Sequence, residues 1–518
     1  MNLLTLIAIG KILVCAAAIG LLIILRIARQ HRLPDVDRRA GIALGVLAIL
    51  SVAFFLDFGY YPKHGRFMNP HGWYHYYLGA KYSAELGYDD LYNATVVANT
   101  ENNGRLMHDR VRSMRTYAME PAADIMRDAE RYRALFTPER WDAFKKDVAY
   151  FQEITIPRRW PGVVHDKGYN ATPVWNMFGA WITNATDTAQ PFHMRLLLWL
   201  DPLLLALMLG AVRSAFGARV MLLVLVYFGA HFAFGMYGVN EIRGALLRWD
   251  WLACLGIAIC LLRLGHFKSA GALVAVAGMS RLFPLVFLFG MGARFAWDIY
   301  TNRRIARHYV EFFWAFAAVA VALVTASVVW DGGLQHWRDF LEKIALHDED
   351  LVSQRTGFKY AFLHAFDGIA GKEAWFGEHQ IAWRACQIVG LLLAFFGVRK
   401  LEDYEAVAFS YVPMFILSSP TTYYQIALLL PLFLFLPRLD STVRLIGAAI
   451  SFGVVIAFHA FNITGFLESQ YALSALLSWL LLAYCVYLIG AGLTAARNPA
   501  PPATAPATGG DADPAGSE

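Results

Sequence analysis

Residues 308–330 read HYVEFFWAFAAVAVALVTASVVW and come directly after the basic cluster Arg303, Arg304 and Arg307. A helix needs about 20 consecutive, mainly apolar residues to cross the hydrocarbon core of a bilayer. Lys and Arg accumulate at the cytoplasmic ends of such helices. This stretch therefore predicts a transmembrane helix that begins on the cytoplasmic side and ends on the outer side.

The rest of the chain has the same character. Hydrophobic residues make up 58% of its 518 residues, charged residues 16%, and the mean hydropathy is +0.43. Soluble domains average about 45–50% apolar and about 25% charged residues. We therefore predict an all-α polytopic membrane protein with about eleven transmembrane helices. The net charge of +5 is modest, and we expect no nucleic-acid partner. The other apolar runs are 3–26, 40–56, 194–212, 219–237, 247–264, 269–297, 380–398, 404–418, 424–437, 444–460 and 470–491.

The run 269–297 differs from the others because both of its flanks are basic. Arg263 and Lys268 precede it, and the cluster around Arg303 follows it, so both ends should be cytoplasmic. Its 29 residues are too few for two full crossings of about 20 residues each. We predict a re-entrant pair of half-helices that breaks near 281–284, and the alternative is one long tilted helix.

The positions of the basic residues predict the topology and the domains. The N-terminus is expected outside, the C-terminus inside, and residues 1–56 form two transmembrane helices. The long polar segment 57–193 is interpreted as an extracytoplasmic helical domain on the outer membrane face. Residues 194–491 form a polytopic transmembrane domain, and 498–518 a disordered cytoplasmic tail. The outer loops are 57–193, 238–246, 331–379, 419–423 and 461–469.

Asp57 opens the long outer segment, at the end of an apolar run. Partial burial raises the pKa of a carboxyl group and makes it a usable general base. The alternative is an ordinary interfacial residue at a helix end.

Aromatic and histidine side chains follow closely at 69–79, NPHGWYHYYLG. Trp73 with His71 and His75 could contact a sugar, whose ring faces are apolar and whose hydroxyls need hydrogen bonds. An interfacial aromatic belt is the alternative. The two histidines at i and i+4 also suit a metal ion, but no third ligand is evident, so we predict no metal.

Arginines form a second group of candidates. Arg281 lies within an apolar run, where a cation is costly and marks a functional site. A guanidinium group suits a phosphate, and the alternative is an ion pair with Asp201 or Asp250. The same role is considered for three arginines in outer segments, Arg243, Arg248 and Arg355. The chain has no P-loop, GxGxxG, HExxH or GxSxG motif, which gives nucleotide-driven transport and the corresponding hydrolases no support.

The order of these features resembles the GT-C type glycosyltransferases, most closely glycosyltransferase family 87, the polyprenyl-phosphate-mannose-dependent mannosyltransferases and their relatives. Four short motifs carry the resemblance over most of residues 40–440. In the third motif this chain has Arg281 where the family commonly has Lys, and in the last motif, which begins at Ser419, it lacks the His that the family often has. The motifs are Asp57 at the start of the outer loop; Tyr169 to Pro173; Arg281, Phe283 and Pro284; and Ser419, Pro420, Tyr423 and Tyr424.

The resemblance implies a glycosyltransferase that uses a polyprenyl-phosphate-linked sugar, a hexose such as mannose, and a lipid or glycan acceptor. Asp57 would be the general base of an inverting reaction, and Arg281, Arg248, Arg243 and Arg355 would bind the donor phosphate. The contacts to sugar or acceptor would come from His71, Trp73, His75, Tyr169, Tyr423 and Tyr424.

Other expectations follow from the same resemblance. It implies no cofactor and no metal, membrane lipids as neighbours, and a bacterial inner membrane with the site on the extracytoplasmic side. Two alternatives stay open at this point: a transporter or flippase of lipid-linked glycans, and a non-catalytic membrane assembly protein.

Overall fold

The computed structural model describes residues 3–56, 58, 68–233, 244–465 and 469–495. Helices dominate it, and the described part contains seven helices that are long and apolar enough to cross a membrane. This confirms an all-α membrane protein. The seven helices are Thr5–Gln30, Pro34–Phe55, Pro191–Phe216, Arg307–Trp330, Gln380–Lys400, Thr442–Thr464 and Gln470–Thr494, and Ala218–Ala230 is a shorter apolar helix.

The remaining apolar runs form shorter elements, several of which are largely buried. All residues from 404 to 416 are buried, so their apolar character reflects contacts with neighbouring helices rather than with lipid. Prolines shorten these elements, because Pro413 and Pro431 cannot donate a backbone hydrogen bond. These elements are Asp250–Arg263, Phe267–Arg281, Leu288–Asn302, Asp403–Phe409, Tyr411–Leu417, Leu432–Phe435 and the 3-10 helix Thr422–Leu429.

The segment predicted to be re-entrant is broken between its two arms. The first helix ends at Arg281, Leu282 takes a positive φ of 57°, and the 3-10 helix Phe283–Phe287 leads into Leu288–Asn302. The Phe267 ring lies 4.6 Å from that of His308, and only 303–306 separate the second arm from the helix containing His308. Both arms therefore end beside the start of the same long helix. The break lies where the sequence predicts it, and the alternative of one continuous helix is wrong.

A second body of structure, within 68–198, has a hydrophobic core of its own. Tyr74, Tyr77, Phe144 and Phe151 are fully buried in it, and Phe340 inserts from the helix Gln335–Glu349. Its two short strands, Arg110–Arg112 and Met119–Pro121, pair antiparallel. Its helices are Pro70–Trp73, Tyr74–Leu78 (a π turn), Gly79–Lys81, Ser83–Leu86, Leu91–Asn103, Ala122–Arg127, Ala129–Arg133, Pro138–Ile154, Trp160–His165 (3-10) and Pro173–Asn184.

Thr172 joins this body to the broken segment. Its hydroxyl oxygen accepts a hydrogen bond from the Trp175 N–H at 3.1 Å and so caps the helix Pro173–Asn184. The same hydroxyl donates to the Met279 carbonyl at 2.6 Å. That carbonyl lies in the last turn of a helix, where backbone acceptors lack intrahelical partners. The tip of the broken segment is thereby held against this second body.

The predicted tail 498–518 lies outside the described residues, and its disorder stays a prediction.

Candidate functional site

A cavity of about 500 Å³ lies where the body around 68–170 meets the loops of the membrane domain. This volume is within the range of small-molecule sites. Segments far apart in the sequence meet at its wall. The lining residues include Asn69, His71, His75, Tyr76, Asp166, Lys167, Asn170, Arg248, His347, Gln354, Thr421, Thr422 and Tyr423.

Two arginines converge on one aromatic ring at this cavity. The guanidinium carbons of Arg248 and Arg281 lie 4.8 and 5.1 Å from the centroid of the Tyr76 ring. Arg248 also lies 5.0 Å from the Tyr423 ring, and Arg281 lies 5.2 Å from that of Trp175. Cation–π contacts of this kind stabilise a cation that has lost its water. Both side chains are thus held in place without being neutralised by these rings.

Strained backbone helps to position both arginines. Leu247 and Leu282 have backbone φ angles of 45° and 57°, which residues other than glycine rarely adopt. Leu247 precedes Arg248, and its carbonyl accepts a 2.7 Å hydrogen bond from Arg281 Nη2. Asp201 accepts from the backbone N–H groups of Arg248 and Trp249 at 2.9 and 3.0 Å. Asp201 therefore fixes the backbone that carries Arg248.

The two guanidinium groups differ in their charge partners. Arg281 Nε lies 3.5 Å from Asp250 Oδ1, so the ion pair considered from the sequence forms with Asp250. Arg248 Nη1 donates to the Tyr423 hydroxyl at 3.3 Å. Among the described residues, no carboxylate oxygen lies within 4.0 Å of the Arg248 guanidinium. Arg248 also lines the cavity, so it is the cation best placed to meet an anion there.

A histidine–carboxylate cluster lines the same cavity. His71 Nε2 lies 2.8 Å from Asp166 Oδ2, and His75 Nε2 lies 4.0 Å from that oxygen. Burial and the neighbouring His71 lower the pKa of His75 to about 4, so its ring is neutral at pH 7. Neighbouring protein atoms displace part of the water around Asp166 and raise its pKa, but the His71 hydrogen bond and the charges that both histidines carry at low pH lower it on balance.

Two cations, Lys167 and Arg355, lie beside this cluster, and Lys167 forms an ion pair with Asp350. Burial, Arg355 and Arg112 lower the pKa of Lys167 to about 8. Burial, Arg355 and Lys167 lower the pKa of His347 to about 3. Arg355 is itself buried, and its backbone pairs with that of Thr421 at the cavity wall. The predicted phosphate ligand Arg355 therefore acts on the cavity through the field it exerts on Lys167 and His347.

Only some of the other residues predicted from the sequence lie at the cavity. His71, His75 and Tyr423 line the cavity. Three aromatic residues predicted to contact the sugar or acceptor, Trp73, Tyr169 and Tyr424, are not part of the cavity lining. Trp73 is fully buried and donates to the Gly244 carbonyl, Tyr169 donates to Asn176 Oδ1 at 2.7 Å, and the Tyr424 ring lies 5.0 Å from Phe283. Asp57 and Arg243 lie outside the described residues.

Tyr76, Asp166 and Lys167 belong to the site but were not predicted from the sequence. Tyr76 lies in the aromatic run at 69–79, and a signal for it was present there. Asp166 lies far along the chain from His71, and no local pattern joins the two. Only the folded chain brings them to 2.8 Å.

Comparison with known proteins gives no relative from which to transfer a function: no family model, no curated protein and no solved structure matches this chain.

Proposed function

We propose that this membrane protein is a GT-C-like glycosyltransferase, similar to family 87, that transfers a sugar from a polyprenyl-phosphate donor to a lipid or glycan acceptor. The sugar is a hexose such as mannose. The site faces the extracytoplasmic side of a bacterial inner membrane. The observation that carries the proposal is the convergence of Arg248 and Arg281 on Tyr76 at one polar cavity, where Arg248 lacks a carboxylate partner among the described residues.

This arrangement suits a phosphate that leaves with negative charge. Planar guanidinium groups bind phosphate oxygens through two donors at once, and fixed cations in a site that excludes water stabilise developing charge. Tyr76 and Tyr423 hold Arg248 in place, so little side-chain freedom is lost on binding. Arg248 would therefore contribute the larger share of phosphate binding, and Arg281, already paired with Asp250, the smaller share.

In the proposed reaction, an acceptor hydroxyl attacks the anomeric carbon while the bond from that carbon to the phosphate oxygen breaks. The hydroxyl proton passes to Asp57, and polyprenyl phosphate leaves with the bonding electron pair. Configuration at the anomeric carbon inverts, because the nucleophile enters opposite to the leaving group. Asp57 has this role in the proposal because it opens the segment 57–193 at the end of an apolar run and matches the first motif of the resemblance.

Phosphate binding can be tested with polyprenyl phosphate and the purified full chain in lipid nanodiscs. Arg248→Gln removes the cation but leaves the backbone N–H that Asp201 caps. We expect affinity to fall about 10- to 150-fold, since hydrogen bonds to charged groups contribute about 1.5–3 kcal/mol. Arg131→Gln is the matched control, because Arg131 also lies over a ring, that of Tyr132, at 5.5 Å, but on the exposed surface. Equal affinity in all three proteins would refute the proposed phosphate site.

The chemistry itself is tested by complementation. Lipid-linked glycans from cells that lack the gene are compared by mass spectrometry with those of cells expressing the wild type or Asp57→Asn. We expect a truncated glycan that the wild type restores and Asp57→Asn does not, while Asp57→Asn still binds polyprenyl phosphate. A flippase would need the phosphate contacts but not Asp57, so restoration by Asp57→Asn would favour that alternative. If the protein is instead a non-catalytic assembly protein, Arg248→Gln and Asp57→Asn should change only its stability.

A further inference from the structure

We propose that His71, His75 and Asp166 bind a divalent transition metal ion, for which Zn²⁺ is the best match. One ligand atom from each residue lies within 4.8 Å of the other two. Two imidazoles and one carboxylate are ligands that Zn²⁺ prefers, and three protein ligands with an open position are typical of catalytic zinc sites. The proposal concerns metal binding and does not depend on the proposed transferase activity.

The distances are close to those of a bound site. Zinc lies about 2.0–2.2 Å from nitrogen and oxygen ligands, so tetrahedral ligand atoms are about 3.4 Å apart. The corresponding separations from Asp166 Oδ2 are 2.8 Å to His71 Nε2 and 4.0 Å to His75 Nε2. Movements of about an ångström would bring the three atoms around one ion. The side chains of His71 and Asp166 are 45% and 49% exposed, so they have room to make these movements.

The orientation of His75 fits a ligand role. Its Nδ1 donates to the His71 carbonyl at 2.7 Å, which leaves the lone pair on Nε2. Metal-binding histidines commonly donate their other ring N–H to a backbone carbonyl in this way, and the bond fixes the ring. Nε2 accepts from the Tyr92 hydroxyl at 2.6 Å, and a metal ion would take over that lone pair.

The cavity determines what the bound ion could meet. All three ligand residues line it, together with Arg248, so the open coordination positions of the ion would face the same space. Asp166 cancels one of the two charges of the ion, and the complex keeps one positive charge. Such a centre takes an oxygen ligand that is anionic or easily polarised, such as a phosphate oxygen or a hydroxyl group.

The test measures Zn²⁺ binding to the untagged full chain in detergent, without any lipid substrate. Bound metal is first removed with a chelator, and Zn²⁺ is then titrated in competition with a chromophoric chelator. We expect one Zn²⁺ per chain for the wild type. For His71→Ala and Asp166→Asn we expect affinity to fall about tenfold or more, because changes even to outer-shell groups cost 10–100-fold. Both residues are half exposed, so these variants should fold.

His165→Ala is the matched control. His165 lines the same cavity and its Nε2 donates to the Arg110 carbonyl at 3.0 Å, but it does not belong to the cluster of three. It should bind Zn²⁺ like the wild type. Co²⁺ substitution adds a spectroscopic readout, since the visible absorption of Co²⁺ reports its ligand geometry and should change in Asp166→Asn. Zinc binding that is absent from the wild type, or that is equal in Asp166→Asn, His71→Ala and His165→Ala, would overturn the proposal.

Discussion

Replacing Thr172 by Val should loosen the tip of the broken membrane segment by about 2–4 kcal/mol. Val keeps the shape of the side chain, which is only 1% exposed, and removes its hydroxyl. The N-cap bond to the Trp175 N–H is lost, at a cost of about 1 kcal/mol. The Met279 carbonyl loses a buried donor at 2.6 Å, which costs about 1–3 kcal/mol. The two costs are summed because the single substitution removes both hydrogen bonds of the Thr172 hydroxyl.

Hydrogen exchange followed by mass spectrometry measures this loss locally. Opening that is easier by 2–4 kcal/mol speeds exchange by about 30- to 700-fold, since each 1.4 kcal/mol is a factor of ten. The informative amide is that of Leu282, which donates to the Gly278 carbonyl at 2.8 Å just beyond the Thr172 contact. We expect faster exchange in peptides covering 277–285 and 172–178 of the detergent-solubilised full chain.

Thr137→Val is the matched control because Thr137 also caps a helix that continues with Pro. Its hydroxyl accepts from the Arg140 N–H at 3.3 Å, at an exposed position and with no partner in the membrane domain among the described residues. We expect about 1 kcal/mol, confined to the start of Pro138–Ile154. If Thr172→Val leaves exchange at 277–285 as slow as in Thr137→Val, the coupling of the two bodies through this hydroxyl is refuted.

Two further predictions concern helix packing and pH. Gly290→Ala should destabilise the folded protein by about 1–3 kcal/mol, because the added methyl group would overlap the Ala406 carbonyl. The control Gly292→Ala places its methyl group where no atom lies within 4 Å, so it should be neutral or slightly stabilising. Thermal unfolding compares the two variants, and equal melting temperatures would contradict the contact between Gly290 and Ala406. The pKa of His347 is lowered to about 3 from an ordinary value of 6.5, so the unfolded chain binds more protons between these values. The contribution of His347 to the stability of the folded protein should be complete above about pH 6.5 and fall as the pH falls towards 3. The melting temperature should therefore decrease less between pH 7.5 and pH 5 in His347→Gln than in the wild type. Identical decreases in the two proteins would contradict the lowered pKa of His347.

The membrane class and the broken segment could be predicted from the sequence because both depend on local signals. A run such as 308–330 needs only its length and apolar character to be identified as a membrane helix. The break at Leu282 needs only an apolar run with basic flanks and an internal Pro284. The run 404–418 gave the same local signal as a membrane helix, yet its residues up to 416 are buried in shorter helices. Apolar sequence alone does not distinguish lipid from protein as the surrounding medium.

The candidate site was predicted only in part, because its geometry depends on contacts between distant segments. The local sequence around an aromatic residue near a membrane surface is the same whether its side chain lines a cavity or packs inside the protein. Tyr423 lines the cavity, but Tyr424, its neighbour, lies against Phe283. Consecutive residues point in different directions on a helical turn, and the sequence does not show which direction faces the cavity.

The pairing of the charged residues could also not be predicted from the local sequence. Arg248 and Arg281 are the same residue type in apolar surroundings, and the sequence offers Asp250 as a partner for either. Asp250 is two residues from Arg248, yet Arg248 precedes the helix Asp250–Arg263 and its guanidinium lies over the Tyr76 and Tyr423 rings. Its carboxylate lies instead 3.5 Å from Arg281, far along the chain. The nearer arginine is thereby left to Tyr423 and the cavity. The capacity of this site for an anion thus follows from which arginine the fold pairs, and the number of arginines alone does not determine it.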